Sequence, residues 1–382
     1  MLKWVQSGLS AVAGTAEPEY GPDAIQPITK RIFDTNNGKI YRATEPKDFE
    51  WLSPNYTNVE TQTFYFTDLS NGNIGFAQII HSNVMGLTTT AQFTFRLYNV
   101  KDKSINLWTS TKLEDFEIKD SNFYAKDLSL ELKDNKVYKL KSSVNKESIV
   151  EFEMERLTDG VIFGDDGMSF YGEDPEQPWG SMRHVFWPRC KVNGTITTAD
   201  NKVIEINNGL TMFVMALQGM KPHHAAKSWN FMNFQSANHS AVQMEFTTPK
   251  SYGTTKVNIG IVTDNEKILI ASIDNQVVHS DTKFDDVGGW DVPQKIEFNY
   301  IDGKDKDKQV ASVSGNLSQL VERVDVMAEI PQFVKNIVSG VAGARPYIYQ
   351  YANEFTIDIN NGDGEKVKED GVGFTEVTFI SD

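Results

Sequence analysis

The sequence lacks most of what announces an enzyme. It has one cysteine in 382 residues, Cys190, so no internal disulfide can form and no cysteine-based zinc cluster exists. No G-x-S-x-G, H-E-x-x-H, phosphate-binding loop or dinucleotide fingerprint occurs. No run of 18 apolar residues is present, so no helix is expected to span a membrane. Positive charge is in deficit: 37 Lys and Arg face 52 Asp and Glu, a formal net charge of −15. Duplex binding needs a basic stripe that releases counterions, so nucleic acid is not an expected partner. The acidity suits a soluble cytoplasmic protein, and a lone cysteine suits a reducing compartment. Gln6, Ser7, Gly8 and Ser10 interrupt the apolar run behind Lys3, which argues against a secretory signal.

What is present reads mainly as β-structure. Thr61 to Leu69 is rich in aromatic and β-branched residues, and Asn71-Gly72 then signals a hairpin into Ile74 to His81. Thr88 to Val100 continues, with Phe93, Phe95 and Leu97 on one face. Ile149 to Leu157 adds a further strand, as do Val192 to Thr198 and Lys202 to Asn207, which flank a turn at Ala199-Asp200-Asn201. The pattern restarts at Trp229 and runs through Val242 to Phe246, Val257 to Val262, Ile268 to Ile273 and Ile296 to Ile301. Ile296, Phe298 and Tyr300 alternate there with Lys295, Glu297 and Asn299. Many short strands in two similar halves predict two tandem antiparallel β-barrels, each with room for a small apolar ligand. The expected divisions are residues 1–18, 19–220 and 221–382.

Two segments predict helices. One spans 331–341, where Phe333, Val334, Ile337, Val338 and Val341 recur at helical spacing after Pro331. The other is residues 2–14. On a wheel of 100° per residue, Leu2, Val5, Leu9, Val12 and Ala13 fall together and Trp4 extends their arc, while Lys3, Gln6, Ser7 and Ser10 share the other face. A 13-residue helix is marginal alone in water, so this face must be covered by its own barrel or by a bilayer surface. The candidate membrane-contact residues are Leu2, Trp4, Val5, Leu9 and Val12. With one lysine on the polar face, attraction to anionic lipid is weak, and attachment is expected to be reversible.

Clusters that can carry chemistry are few. His223-His224 point apart on an extended chain. Asp165-Asp166 and Glu173-Asp174 with Glu176 sit in a Gly/Pro-rich stretch. Asp358 to Glu365 lacks the offsets of a calcium loop and reads as a hairpin turn. Cys190 suits a small buried hydrophobe. No catalytic residue, metal or cofactor is therefore expected. Thr158 to Met182 is expected as a long loop. It leads into Trp179-Gly180-Ser181-Met182-Arg183-His184-Val185-Phe186-Trp187-Pro188-Arg189, whose aromatics can line a barrel mouth or plug it.

Several segments carry a resemblance: Met1 to Val12, Ala16 to Gly21, Gly75 to Asn83, Leu107 to Leu113, Pro178 to Arg189 and Pro346 to Tyr351. Together they resemble the fungal survival factor 1 family from the first residue to near the last. The resemblance implies two lipocalin-like (calycin) domains, distantly similar to hydratase-type proteins. It implies transfer of ceramide or a related sphingolipid from endoplasmic reticulum to Golgi, with the N-terminal helix on the membrane. It also implies a link to survival under oxidative stress. A carrier needs a dry cavity with a few polar groups at its mouth. The aromatic candidates are Phe93, Phe95, Trp179 and Trp187 in the first half and Trp229, Phe231 and Phe246 in the second. An enzyme on an apolar substrate, with a convergent acid pair inside a barrel, is the alternative. A scaffold with both barrels plugged is a third.

Overall fold

The computed structural model describes residues 21–34, 38–84, 86, 88–174, 176–220, 222–302, 305–326, 345–360 and 366–381. Residues 2–14 and 331–341, the two expected helices, lie outside this set.

Two curled antiparallel sheets make the fold, one running from Ile25–Gln26 to Val203–Gln218 and the other from Ser228–Gln235 to Lys366–Phe379. Period-two alternation gives every strand two destinations. In strand Asn58–Asp68, Phe64 and Phe66 enter the hollow of the first sheet, while Tyr65 faces the second sheet. The Asn71-Gly72 signal holds: Gly72 takes φ of 81°, and Asn73–Val84 returns antiparallel with Phe64 opposite Ala77. Strands Gly180–Thr197 and Val203–Gln218 form the long central ladder. Its register shifts between Trp187 and Cys190, where Pro188 avoids the need for a ladder N–H. A second shift precedes Gly194, whose φ is 155° and whose added Cβ would lie 1.9 Å from the Glu151 carbonyl oxygen.

One sequence expectation needs correction. The Thr158 to Met182 stretch is not a loop: strands Val161–Phe163 and Met168–Tyr171 lie inside it and pair with Gly180–Thr197. Each is too short for alternation to show, and Gly164, Gly167 and Gly172 at positive φ supply the turns between them. The hairpin expected at Asp358 to Glu365 agrees with strands Tyr347–Asn360 and Lys366–Phe379, which pair antiparallel with Asn360 opposite Lys366 and form the longest pairing of the second sheet, though their extent was not read from the sequence. The outer end of the second strand is mostly charged, with Lys366, Lys368, Glu369 and Asp370, which dilutes the hydrophobic signal.

The first hollow is filled. Phe64 stacks on Phe213 with centroids 4.6 Å apart. Tyr138 lies 4.9 Å from Phe213 and 5.1 Å from Trp187, and Phe49 lies 5.2 Å from Trp187. The second hollow holds Met232, Phe234, Phe298, Tyr300 and Phe355, all buried. A third core joins the sheets face to face, with Tyr65 and Phe76 against Phe231 and Phe374.

Buried polar clamps fix the two sheets together. Arg189, fully buried, donates to the Asn265 side chain at 2.8 Å, to Ser240 Oγ at 2.7 Å and to the Ala237 carbonyl at 2.8 Å. Arg96 donates to the Val321 carbonyl at 2.9 Å and pairs with Glu322 at 3.2 Å. The Tyr171 hydroxyl donates to the Ala225 carbonyl at 2.8 Å. Near the chain start, the short helix Ile28–Arg31 touches both Met168–Tyr171 and Lys256–Thr263, and so bridges the sheets.

Candidate functional site

The side chains that neither hollow takes up meet in a cleft between the sheets. Cross-strand register sorts the first wall into rows: Val59, Gln218 and Met182, then Thr61, Ala216 and His184, then Thr63 and Val214 with Gln78. Tyr65 closes the series. From Val59 to Tyr65 the wall runs about 20 Å, six steps of about 3.4 Å. The opposite wall carries Trp229, Phe231, Met244 and Glu376, with Phe231 directly across from both Met244 and Glu376. Ring contacts set the alignment of the walls. Trp229 meets His184 at 6.0 Å, and Phe231 meets Tyr65 at 5.0 Å. The volume of the cleft is about 320 Å³. Val59, Thr61, Gln78 and Gln218 are half-buried at its edge, while Tyr65 and Phe231 are buried.

Most of this lining is apolar, but a few polar groups converge on it. Glu376 accepts a hydrogen bond from Gln350 Nε2 at 2.7 Å on one oxygen, and its other oxygen has no partner among the described residues. Burial pushes its carboxyl up to about 7, against the pull of the Gln350 hydrogen bond. The Tyr65 hydroxyl and the His184 ring make no hydrogen bond with a described residue. Burial, and then the negative charge of Glu376, raise Tyr65 well above the ordinary phenol range. Burial, and then Arg183, lower His184 to about 4, so the ring is neutral at neutral pH. Gln78 donates to Thr63 Oγ1 at 2.8 Å and keeps its carbonyl oxygen available. These groups border open space, where a ligand or water can reach them, whereas the unpaired Tyr138 and Tyr300 hydroxyls and the Trp187 indole N–H are enclosed in the packed hollows.

The structure distributes the sequence candidates over three places. Trp229 and Phe231 line the cleft. Phe246 is buried behind Trp229, their rings 5.6 Å apart. Phe93, Phe95 and Trp187 are buried in the first hollow, because their strand parity points them there and sends Thr94, Arg96 and Phe186 to the inter-sheet side. Trp179 is 36% exposed and packs against Tyr171, His224 and Tyr252 away from the cleft. Leu2, Trp4, Val5, Leu9 and Val12 lie outside the described residues. Of the two arginines beside the aromatic run, Arg183 donates to the Asp48 and Asp166 carbonyls, and Arg189 is an inter-sheet clamp. Cys190 is buried, and desolvation pushes its thiol far up, out of the reactive range.

Sequence reasoning missed Glu376, Tyr65, His184 and Gln78. Glu376 had a readable signal. In Val372 to Phe379 it is the lone charge in an otherwise apolar, glycine and threonine strand.

Two curled antiparallel sheets with an apolar, sparsely polar cleft between them define a double-barrel β-protein with the equipment of a ligand-binding module. The likeness of solved structures agrees on the fold. Kievitone hydratase from Nectria haematococca superposes with a TM-score of 0.58 at 12% identity, covering 95% of this chain and 98% of its own. An AttH-type protein from Nitrosomonas europaea gives 0.58 at 12% identity, covering 89% and 98%. The chain belongs to the Svf1 family, whose pattern spans residues 2–381. The protein named ceramide-binding protein SVF1 in Debaryomyces hansenii is 64% identical over 100% of both chains. Its namesake in Yarrowia lipolytica is 44% identical, also over 100% of both.

Proposed function

We propose that this chain binds a ceramide-class lipid in the inter-sheet cleft and carries it, chemically unchanged, from endoplasmic reticulum to Golgi membranes. One observation supports the location above all: both hollows are packed with side chains, whereas the cleft is open and mostly apolar, with Glu376, Tyr65 and His184 on its walls. The names borne by the relatives supply the lipid class. A volume of about 320 Å³ lies at the low end for ligand pockets. It encloses the amide and hydroxyl head with the adjoining carbons. Residues 2–14 serve as the reversible membrane contact, which places the protein in the cytoplasm and peripherally on both membranes. A part in sphingolipid metabolism and in survival under oxidative stress belongs to the same reading, on the family resemblance alone.

The test is native mass spectrometry with lipid extraction on full-length protein and on Ala216→Trp, which fills the middle of the cleft. Ceramide on the wild type and none on the variant is the expected result. Equal loading of both would overturn the cleft.

A second reading is catalytic. It draws on Glu376, whose carboxyl titrates near neutrality beside Tyr65, the equipment of a general acid. Among the lining residues Glu376 is the sole carboxylate, so the paired acids expected of that reading are not assembled in this cleft. Lipid recovered with a changed mass after incubation would favour the enzyme. Unchanged mass favours the carrier.

A further inference from the structure

We propose that Glu376 makes the cleft selective for uncharged lipids whose head offers hydroxyl or amide N–H donors, and that it turns away lipids with an anionic head. The inference rests on the cleft reading above. The lining contains no lysine or arginine. Charged groups on the packed elements are directed elsewhere. Arg96, 1% exposed, is held by Glu322 and the Val321 carbonyl. Arg183 is turned to Asp48 and Asp166. Glu245 accepts from Asn230 and Asn258. His184 faces the cleft as a neutral ring.

A carboxylate or phosphate head buried here would meet one carboxyl group and no cation. An anion desolvated without a counter-ion carries a large cost. A hydroxyl or amide N–H instead finds the unpartnered oxygen of Glu376, and a carboxylate is a stronger acceptor than a neutral oxygen. The Tyr65 hydroxyl, unpaired within the protein, is available to donate to the lipid's carbonyl.

The experiment compares two fluorescent probes of matched chain length on the full chain at about pH 8.5, where the Glu376 carboxyl, raised to about 7, is ionised, a short-chain ceramide and a fatty acid. The wild type is expected to prefer the ceramide by about tenfold or more, the scale of an uncompensated charge in a partly open site. Glu376→Gln keeps shape and removes charge, so it narrows the gap several-fold by admitting the fatty acid. Glu376→Lys supplies the missing cation and reverses the preference. Wild-type selectivity in Glu376→Gln, with an unchanged circular dichroism spectrum, overturns the inference whatever the lysine variant does. Ala216→Trp separates the two ideas. If it leaves ceramide binding intact, the cleft reading falls. If it abolishes binding while the Glu376 variant keeps the wild-type ratio, only the selectivity falls.

Discussion

The hollow of the first sheet and the cleft between the sheets are built from the same strands, yet they have opposite characters. In Asn58–Asp68, Phe64 and Phe66 go to a packed aromatic interior, and Thr61, Thr63 and Tyr65 go to the open cleft. In Gly180–Thr197, Trp187 plugs the hollow and His184 lines the cleft. A barrel is commonly taken as the container for an apolar ligand. In the reading proposed above, the container is the seam between two filled barrels.

That comparison breaks most severely in the plug. Trp187→Ala removes a fully buried indole in contact with Phe49, Tyr138 and Phe213. It should cost about 3–5 kcal/mol of stability, read as a lowered denaturation midpoint, and should not create a new lipid site. Removing a clamp is next. Arg189→Ala strands the Ser236 and Ala237 carbonyls and is expected to cost about 2–4 kcal/mol, again by denaturant titration.

Filling the cleft should spare stability and change binding. Ala216→Trp is expected to lower ceramide affinity more than about tenfold, equivalent to about 1.4 kcal/mol or more, with a midpoint within about 1 kcal/mol of wild type, as open space tolerates added bulk. Equal affinity would transfer the site elsewhere.

A smaller effect depends on pH. The Glu376 carboxyl is raised from 4.5 to about 7, so the folded state keeps a proton that the unfolded state releases. Its contribution to stability is therefore fully present below pH 4.5 and is lost as pH rises through 7. Glu376→Gln abolishes that loss. Relative to wild type the variant should gain stability between pH 4.5 and 7 and then level off, by on the order of 1–3 kcal/mol. The His184 ring, lowered from 6.5 to about 4, acts with the opposite sign and is common to both proteins, so the difference between them isolates Glu376. A flat difference across that window would show that the carboxyl is not held in a desolvated site.

At the membrane end, Leu9→Glu places a charge on the apolar face expected for residues 2–14. Co-sedimentation with liposomes should fall several-fold while the fold is kept. Undiminished co-sedimentation would remove that segment as the membrane contact.

Much of the fold was legible because alternation is strong where one face is buried and the other is wet. Ile296, Phe298 and Tyr300 are buried as their spacing implied. The hairpin at Asn71-Gly72 is where its turn chemistry put it. The site was less legible. Phe93 and Phe95 looked like ligand aromatics, and only the direction of the pleat, a property of the closed sheet, sends them into the packed hollow. Trp229 and Phe231 share a face with each other, but the register between two sheets distant in sequence brings them to Tyr65 and His184. No local pattern encodes that meeting. Glu376 was visible as a lone charge, but its meaning needed the cavity.

The central claim is that lipid occupies the seam and neither barrel. Photo-crosslinking with a diazirine-bearing ceramide, followed by peptide mapping, tests it most directly. Label on Thr61, Ala216, Trp229 and Met244 is the predicted result. Label confined to Phe93, Phe95 and Leu140 in the first hollow, or to Phe298 and Tyr300 in the second, would contradict it.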